Sequence, residues 1–245
     1  MLNQQPPSPT DAEKADDPPG GRGRWPIEAE VLLALSATAA GLLAFLLIAG
    51  TVVNGGFRGI DEAVLLALRN PTDLSDPVGP RWFEEFVRDI TALGSTGVLT
   101  LVVVAVSGFL YLAGKPRKAL AVVVWTVAGV VLSQFTKAGF ARPRPDLVPH
   151  AAEVFTLSFP SGHALQSAVI YLTLGTMIAA TQQSRRIKFY VLAFAVTLTM
   201  LVGGSRVYLG VHWPSDVLAG WTLGAAWAGL GWLLFRRIGS EPPDQ

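Results

Sequence analysis

The sequence predicts an all-α integral membrane protein, a bundle of six transmembrane helices. Composition, hydropathy and the placement of basic residues carry that expectation. Hydrophobic residues fill 51% of the 245 positions and charged residues only 15%, against roughly 25% charged in an ordinary soluble domain. Six apolar stretches approach or exceed the ~20 residues a helix needs to cross a hydrocarbon core. Four clusters of basic residues flanking those stretches fall on one side of the bundle. Cysteine is absent, which excludes disulfides, thiolate metal sites and a cysteine nucleophile.

Residues 1–27 are rich in Pro, Asp, Gly and Gln with little to bury, so they are expected to form a disordered tail. A single membrane domain is expected over 28–238, followed by a short tail at 239–245. The first span runs from Val31 to Val53. It follows a long polar lead, exceeds a signal-peptide core and reads as a retained anchor. The remaining spans are expected at Gly94 to Ala113, Arg117 to Phe140, Ser161 to Thr181, Ile187 to Gly204 and Pro214 to Phe235.

Basic residues flank these spans in four groups: Arg22 and Arg24; Lys115, Arg117 and Lys118; Arg185, Arg186 and Lys188; and Arg236 and Arg237. By the positive-inside rule that side is cytoplasmic, as in a bacterial inner membrane protein. Both termini are then inside, and the loops after spans one, three and five outside. The loop over 54–93 fits an outer face, because Asp61, Glu62, Asp73, Asp76, Glu84, Glu85 and Asp89 outnumber its four arginines. Within it, Ile60 to Leu68 has helical apolar spacing. Trp82, Phe83 and Phe86 suit either an interfacial aromatic belt or a helix packed on the bundle end. A net charge of +1 supplies no basic stripe for nucleic acid.

The chemistry is concentrated in three strings that the spans bring to one membrane face. Lys137, Arg142 and Arg144 lie where span three ends, Pro160-Ser161-Gly162-His163 where span four begins, and Ser205 to Asp216 across the connection from five to six. Ionisable residues at that depth are costly unless they pair or bind something. Ser161 and Gly162 open a helix, so their N–H groups are expected to point outward as an anion site. His212 and Asp216 stand four apart, close enough for the carboxylate to orient one ring nitrogen and leave the other for a substrate. Arg206 brings a planar fork suited to phosphate oxygens. His150, Asp146 and Glu153 have no patterned partner and read as solvated loop residues.

These strings resemble the signatures of the type 2 phosphatidic acid phosphatase (PAP2) family, the lipid phosphate phosphatase superfamily, to which the vanadate-dependent haloperoxidases are related. Lys137 with Arg144-Pro145, Pro160 to His163, and Ser205-Arg206 with His212 and Asp216 match without a departure. The resemblance implies a PAP2/haloperoxidase-like helical bundle that removes a phosphate from a lipid phosphate or diphosphate through a phosphohistidine, with no metal or other cofactor. His212 would be the nucleophile, Asp216 its orienting carboxylate and His163 the acid. Lys137, Arg144, Arg206, Ser161 and Gly162 would bind phosphate, with Arg142, Ser205 and Pro160 in support. Phosphatidate, phosphatidylglycerol phosphate, undecaprenyl diphosphate and lipid A phosphates all remain open as substrates. So do a phosphotransferase using the same site and a non-catalytic lipid-phosphate binding or transport protein.

Overall fold

The computed structural model describes residues 27–150 and 156–238. Both expected tails lie outside the described residues, apart from Ile27, and so does Glu153. Nine α-helices are described: α1 Ile27–Val53, α2 Arg58–Ala67, α3 Arg81–Ala92, α4 Thr96–Leu112, α5 Pro116–Phe140, α6 Gly162–Ser167, α7 Thr173–Thr181, α8 Arg185–Tyr208 and α9 Pro214–Ile238. A wider π-type turn at Ala168–Leu172 joins α6 to α7, so the pair runs as one stretch from Gly162 to Thr181. The only strands among the described residues, β1 Arg69–Asn70 and β2 Asp73–Pro77, form a small antiparallel hairpin.

Five helical stretches are long and apolar enough to cross a membrane, and the α3–α4 pair makes a sixth if its 50° bend counts as one broken span. α4 fills the span expected from Gly94 to Ala113, and α3 lies before it, outside that stretch. α3 carries Arg81, Glu84, Glu85, Arg88 and Asp89 among its twelve residues, a charge density that hydrocarbon does not accept. The chain turns at Leu93–Ser95, and Ser95 caps α4 by accepting from the N–H of Val98 at 3.3 Å. The region expected as a loop over 54–93 is mostly ordered. Its predicted helical stretch appears as α2, and Phe83 packs edge-on against Tyr208 of α8 at 5.4 Å, while Trp82 and Phe86 stay exposed. α8 also runs beyond its predicted end at Gly204, so Ser205 and Arg206 lie within the helix.

Lipid-facing side chains such as Leu47, Phe109, Leu112, Phe135 and Phe189 stay exposed, since lipid tails are as apolar as they are. Packing between the spans therefore depends on close approach of small residues. α9 provides it. A Cβ on Gly220 would lie 2.8 Å from the Ser161 carbonyl oxygen and 2.9 Å from Ala164 Cβ, and one on Gly224 would lie 2.7 Å from the Leu165 oxygen. This stripe seats α9 directly on α6. On another face of α9, Ala226 meets Gly41 of α1, where a Cβ would approach it to 3.2 Å. In the middle, Phe159 is fully buried, stacked on Phe45 at 6.2 Å and edge-on to Phe140 at 4.9 Å. That anchor fixes the segment leading into α6.

Gly220→Ala is expected to lower stability by about 1–3 kcal/mol, the usual cost of overpacking against backbone that cannot retreat. Gly204→Ala, whose Cβ meets nothing within 4 Å, is expected to stabilise by up to about 1 kcal/mol through helix propensity. Thermal unfolding in detergent measures both. Equal effects would refute the account of the α6–α9 seam.

Candidate active site

Four helix ends meet at one end of the bundle. Lys137 stands in the last turn of α5 and Arg206 in the last turn of α8, while His163 and Asp216 occupy the first turns of α6 and α9. The cations in α5 and α8 complement the negative ends of those helices, and Asp216 complements the positive end of α9. The α8–α9 connection turns at Gly210, with φ of +73°, where a Cβ would lie 2.7 Å from both Arg69 and Val148. Arg69 in turn donates from Nη1 to the Tyr208 carbonyl at 2.9 Å. Only glycine meets both the conformation and the space.

His212 follows that turn and is almost fully buried. Its Nε2 lies 3.2 Å from Arg144 Nη1 and its Nδ1 3.4 Å from Asp216 Oδ2. A guanidinium can only donate, so Nε2 is the acceptor and the ring proton sits on Nδ1, facing the carboxylate. The Nε2 lone pair is therefore directed at the cations. Burial pulls the His212 pKa down to about 4 against the opposing pull of Asp216, with Arg144 and Arg206 adding to the fall. The ring is neutral near pH 7, the form that can attack phosphorus.

Asp216 has no exposed surface. Its Oδ2 accepts from the Trp213 N–H at 3.0 Å and from the hydroxyl of Ser158, and its Oδ1 accepts from Arg142 Nη1 at 2.6 Å. On the other side of His212 stand the remaining cations. Arg144 donates to the carbonyl oxygens of Val211 at 2.6 Å and Thr156 at 2.7 Å, and burial lowers its pKa from the ordinary arginine value. Lys137 donates to the Leu157 carbonyl at 2.7 Å and approaches Gly162, where a Cβ would lie 3.4 Å from its Cε. Arg206 donates from Nη1 to Thr91 at 3.0 Å, but its buried Nε has no partner among the described residues. The His163 side chain makes no hydrogen bond among the described residues. The charged groups that act on it are Arg206, His212, Lys137 and Arg144. Several cations, an unsatisfied buried donor and two imidazoles thus surround one small space, an arrangement that suits a tetrahedral oxyanion.

The family model of the PAP2 superfamily matches residues 118–240, the stretch that supplies every group just described except Arg69 and Thr91. The chain belongs to the PAP2 superfamily. Phosphatidylglycerophosphatase B of Bacillus subtilis is 30% identical over 186 residues, 74% of this chain and 86% of that protein. An undecaprenyl-diphosphatase of Sulfolobus acidocaldarius is 31% identical over 122 residues, half of each chain. The crystal structure of the transmembrane PAP2-type phosphatidylglycerolphosphate phosphatase from Bacillus subtilis superposes with a TM-score of 0.75 at 27% identity, covering 84% of this chain and 98% of that one. This PAP2 protein is an integral membrane protein with the helical architecture its sequence predicts.

Most residues singled out in the PAP2 signatures converge, and three differ in detail from expectation. The Ser161 N–H is not free: it donates to the Asp216 carbonyl at 3.0 Å, while the Ser161 hydroxyl accepts from the Ala164 N–H at 3.5 Å as a helix cap. Closure of α6 on α9 uses that donor. The first-turn N–H groups left for an anion are those of Gly162 and His163. Arg142 spends its fork on Asp216, Ser215 and Asp61 instead of pointing among the other cations. Ser205 donates back to the Val202 carbonyl at 2.6 Å within α8, and Pro160 is buried behind the cap. His150 is not merely solvated, since its Nε2 lies 2.7 Å from the Pro145 carbonyl oxygen. Ser158, Thr91 and Asp61 were not singled out. Ser158 lies two residues before Pro160 and carried a local cue, whereas Thr91 and Asp61 come from the region read for its acidity, apolar spacing and aromatic residues.

In protein carrying ¹⁵N-labelled histidine, the His212 ring is expected to titrate well below 6.5, the ordinary histidine value. Asp216→Asn should lower it further, because the carboxylate favours the charged ring. An NMR titration checks both; a midpoint at or above 6.5 would contradict the burial argument.

Proposed function

We propose that this protein removes phosphate from a membrane lipid through a phosphohistidine formed on His212. The single observation that carries the reading is the Nε2 lone pair of a buried, carboxylate-oriented imidazole directed into a cluster of Lys137, Arg144 and Arg206. Phosphoryl transfer depends mainly on positioning and charge stabilisation, and such a cluster provides both. The protein is a membrane phosphatase of the lipid phosphate class, with residues 28–238 as one catalytic domain.

In the first step Nε2 forms a bond to phosphorus as the bond from phosphorus to the lipid oxygen breaks. His163 gives its proton to that leaving oxygen. Lys137, Arg144, Arg206 and the N–H groups of Gly162 and His163 hold the three non-bridging oxygens, where charge concentrates. Arg144 Nη1 lies 3.2 Å from Nε2, and an incoming phosphoryl oxygen draws its N–H away and frees the lone pair. In the second step His163 takes a proton from water, the water oxygen bonds to phosphorus, and the P–N bond breaks to return its electron pair to His212. The products are the dephosphorylated lipid and inorganic phosphate. A metal has no part in either step.

Phosphatidylglycerol phosphate is the first candidate substrate, because the Bacillus subtilis relative named for that lipid matches along most of this chain. An undecaprenyl-type diphosphate is the second, from the Sulfolobus relative. The basic groups between spans support cytoplasmic termini and a site on the outer face of the inner membrane.

Purified protein in detergent is expected to release inorganic phosphate from these lipids, with or without EDTA. His212→Ala should lose about 10⁴-fold or more in turnover. Rapid quenching in alkaline detergent, which preserves the acid-labile P–N bond, with substrate carrying ³²P in the transferred phosphoryl group should trap label on wild-type protein and none on His212→Ala. Turnover near the wild-type rate in that variant would refute the mechanism, and loss in EDTA with recovery on adding Mg²⁺ would move the protein to another phosphatase class. For orientation, the absence of cysteine makes single-cysteine labelling clean. A cysteine at Ser75 should react with an impermeant maleimide in intact cells and one at Ser184 should not; the reverse pattern would invert the topology.

A further inference from the structure

Asp61 belongs to none of the three signature strings, yet it is buried to 1% exposure at the rim of the site. It sits in the first turn of α2, between the first and second spans. Both carboxylate oxygens are committed. Oδ1 accepts the Ser215 N–H at 2.9 Å, and Oδ2 accepts the Ser215 hydroxyl at 2.6 Å and Arg142 Nη2 at 2.8 Å. The other arm of Arg142 reaches Asp216 Oδ1 at 2.6 Å and Ser215 at 2.8 Å, and its plane lies 5.6 Å from the centre of the Trp213 ring. One guanidinium therefore bridges two buried carboxylates, and the second of these orients His212.

We propose that Asp61 is a positioning residue for catalysis, which acts through Arg142 and Ser215 to hold Asp216, and through it the ring of His212, in the geometry for attack. The proposal rests on the function given above. A carboxylate that only capped α9 would need the Ser215 N–H and nothing more. Asp61 also takes the Ser215 hydroxyl and one edge of the Arg142 fork, so the rotamer of Arg142 is fixed from both ends. It also supplies a negative charge that balances Arg142. Without it, the field of Arg142 adds to those of Arg144 and Arg206 at His212, opposed by Asp216, while His163 faces Arg206, His212, Lys137 and Arg144. The fork donates to the two carboxylates from separate nitrogens held in one rigid plane, a spacing that the single nitrogen of an ammonium does not reproduce.

The test measures phosphate release from a phosphatidylglycerol phosphate in detergent, across pH, for wild type, His212→Ala, Asp61→Asn, Asp61→Glu and Arg142→Lys. Asp61→Asn is expected to lower kcat by roughly 10- to 100-fold, the range found when outer partners of active-site ligands are removed. KM should change little, since no group that touches the phosphate is altered. The acid limb of kcat/KM should move to lower pH, because an unbalanced Arg142 disfavours the charged imidazole. Asp61→Glu, which restores the charge, should recover part of the loss. If Asp61→Asn does not fold, Arg142→Lys carries the test: it keeps a cation between the carboxylates without the fork, and kcat should again fall at nearly constant KM. Wild-type kcat and pH profile in a folded Asp61→Asn or Arg142→Lys protein would overturn the proposal. So would a loss confined to thermal stability, the mark of a cap alone. Failure of the wild type to release phosphate, or full activity of His212→Ala, would instead overturn the function on which the proposal rests.

Discussion

The site is organised around a carboxylate that has no access to solvent. Burying an ionised group is tolerated only when it is paired and hydrogen-bonded, and Asp216 receives Arg142 on one oxygen and Ser158, the Trp213 N–H and His212 on the other. These partners come from the end of α5, the entry to α6 and the α8–α9 turn. Satisfying one charge thereby brings three distant segments into register. Removing any single donor leaves part of a buried anion unanswered, a penalty set by desolvation and larger than the worth of one surface hydrogen bond.

The scaffold meets that demand with little help from hydrophobic exclusion, because the spans face lipid. Close contact takes its place: glycines of α9 admit the backbone of α6, and the Ser161 N–H closes onto the Asp216 carbonyl across that seam. Charge placement works in the same direction, with cations at carboxyl ends of helices and Asp216 at an amino end. Packing and electrostatics here impose one arrangement.

Much of this was legible in the amino-acid order. Span number follows from hydropathy, since crossing a bilayer leaves a long, coarse signal. The signature residues were legible because their spacing is local: His212 and Asp216 share one turn, and Lys137 and Arg144 flank one helix end. Span two was located at α4, whereas the polar α3 leaning 50° away from it leaves no mark in hydropathy. Arg142 was read only as a supporting cation because its carboxylate partners stand 81 positions earlier and 74 positions later in the chain. Asp61 and Ser215 stand 154 positions apart. Contacts of that range have no sequence period, so charge type alone could identify neither partner. The Ser161 N–H was assigned to an anion for a related reason, since a first-turn donor looks free until a neighbouring helix is known to cover it.

The seating of α9 has a consequence for biosynthesis. His212 and Asp216 leave the ribosome after Lys137, Arg144 and His163. A nascent polypeptide therefore holds a cradle of cations without its carboxylate-oriented imidazole until α9 partitions into the bilayer and seats on α6.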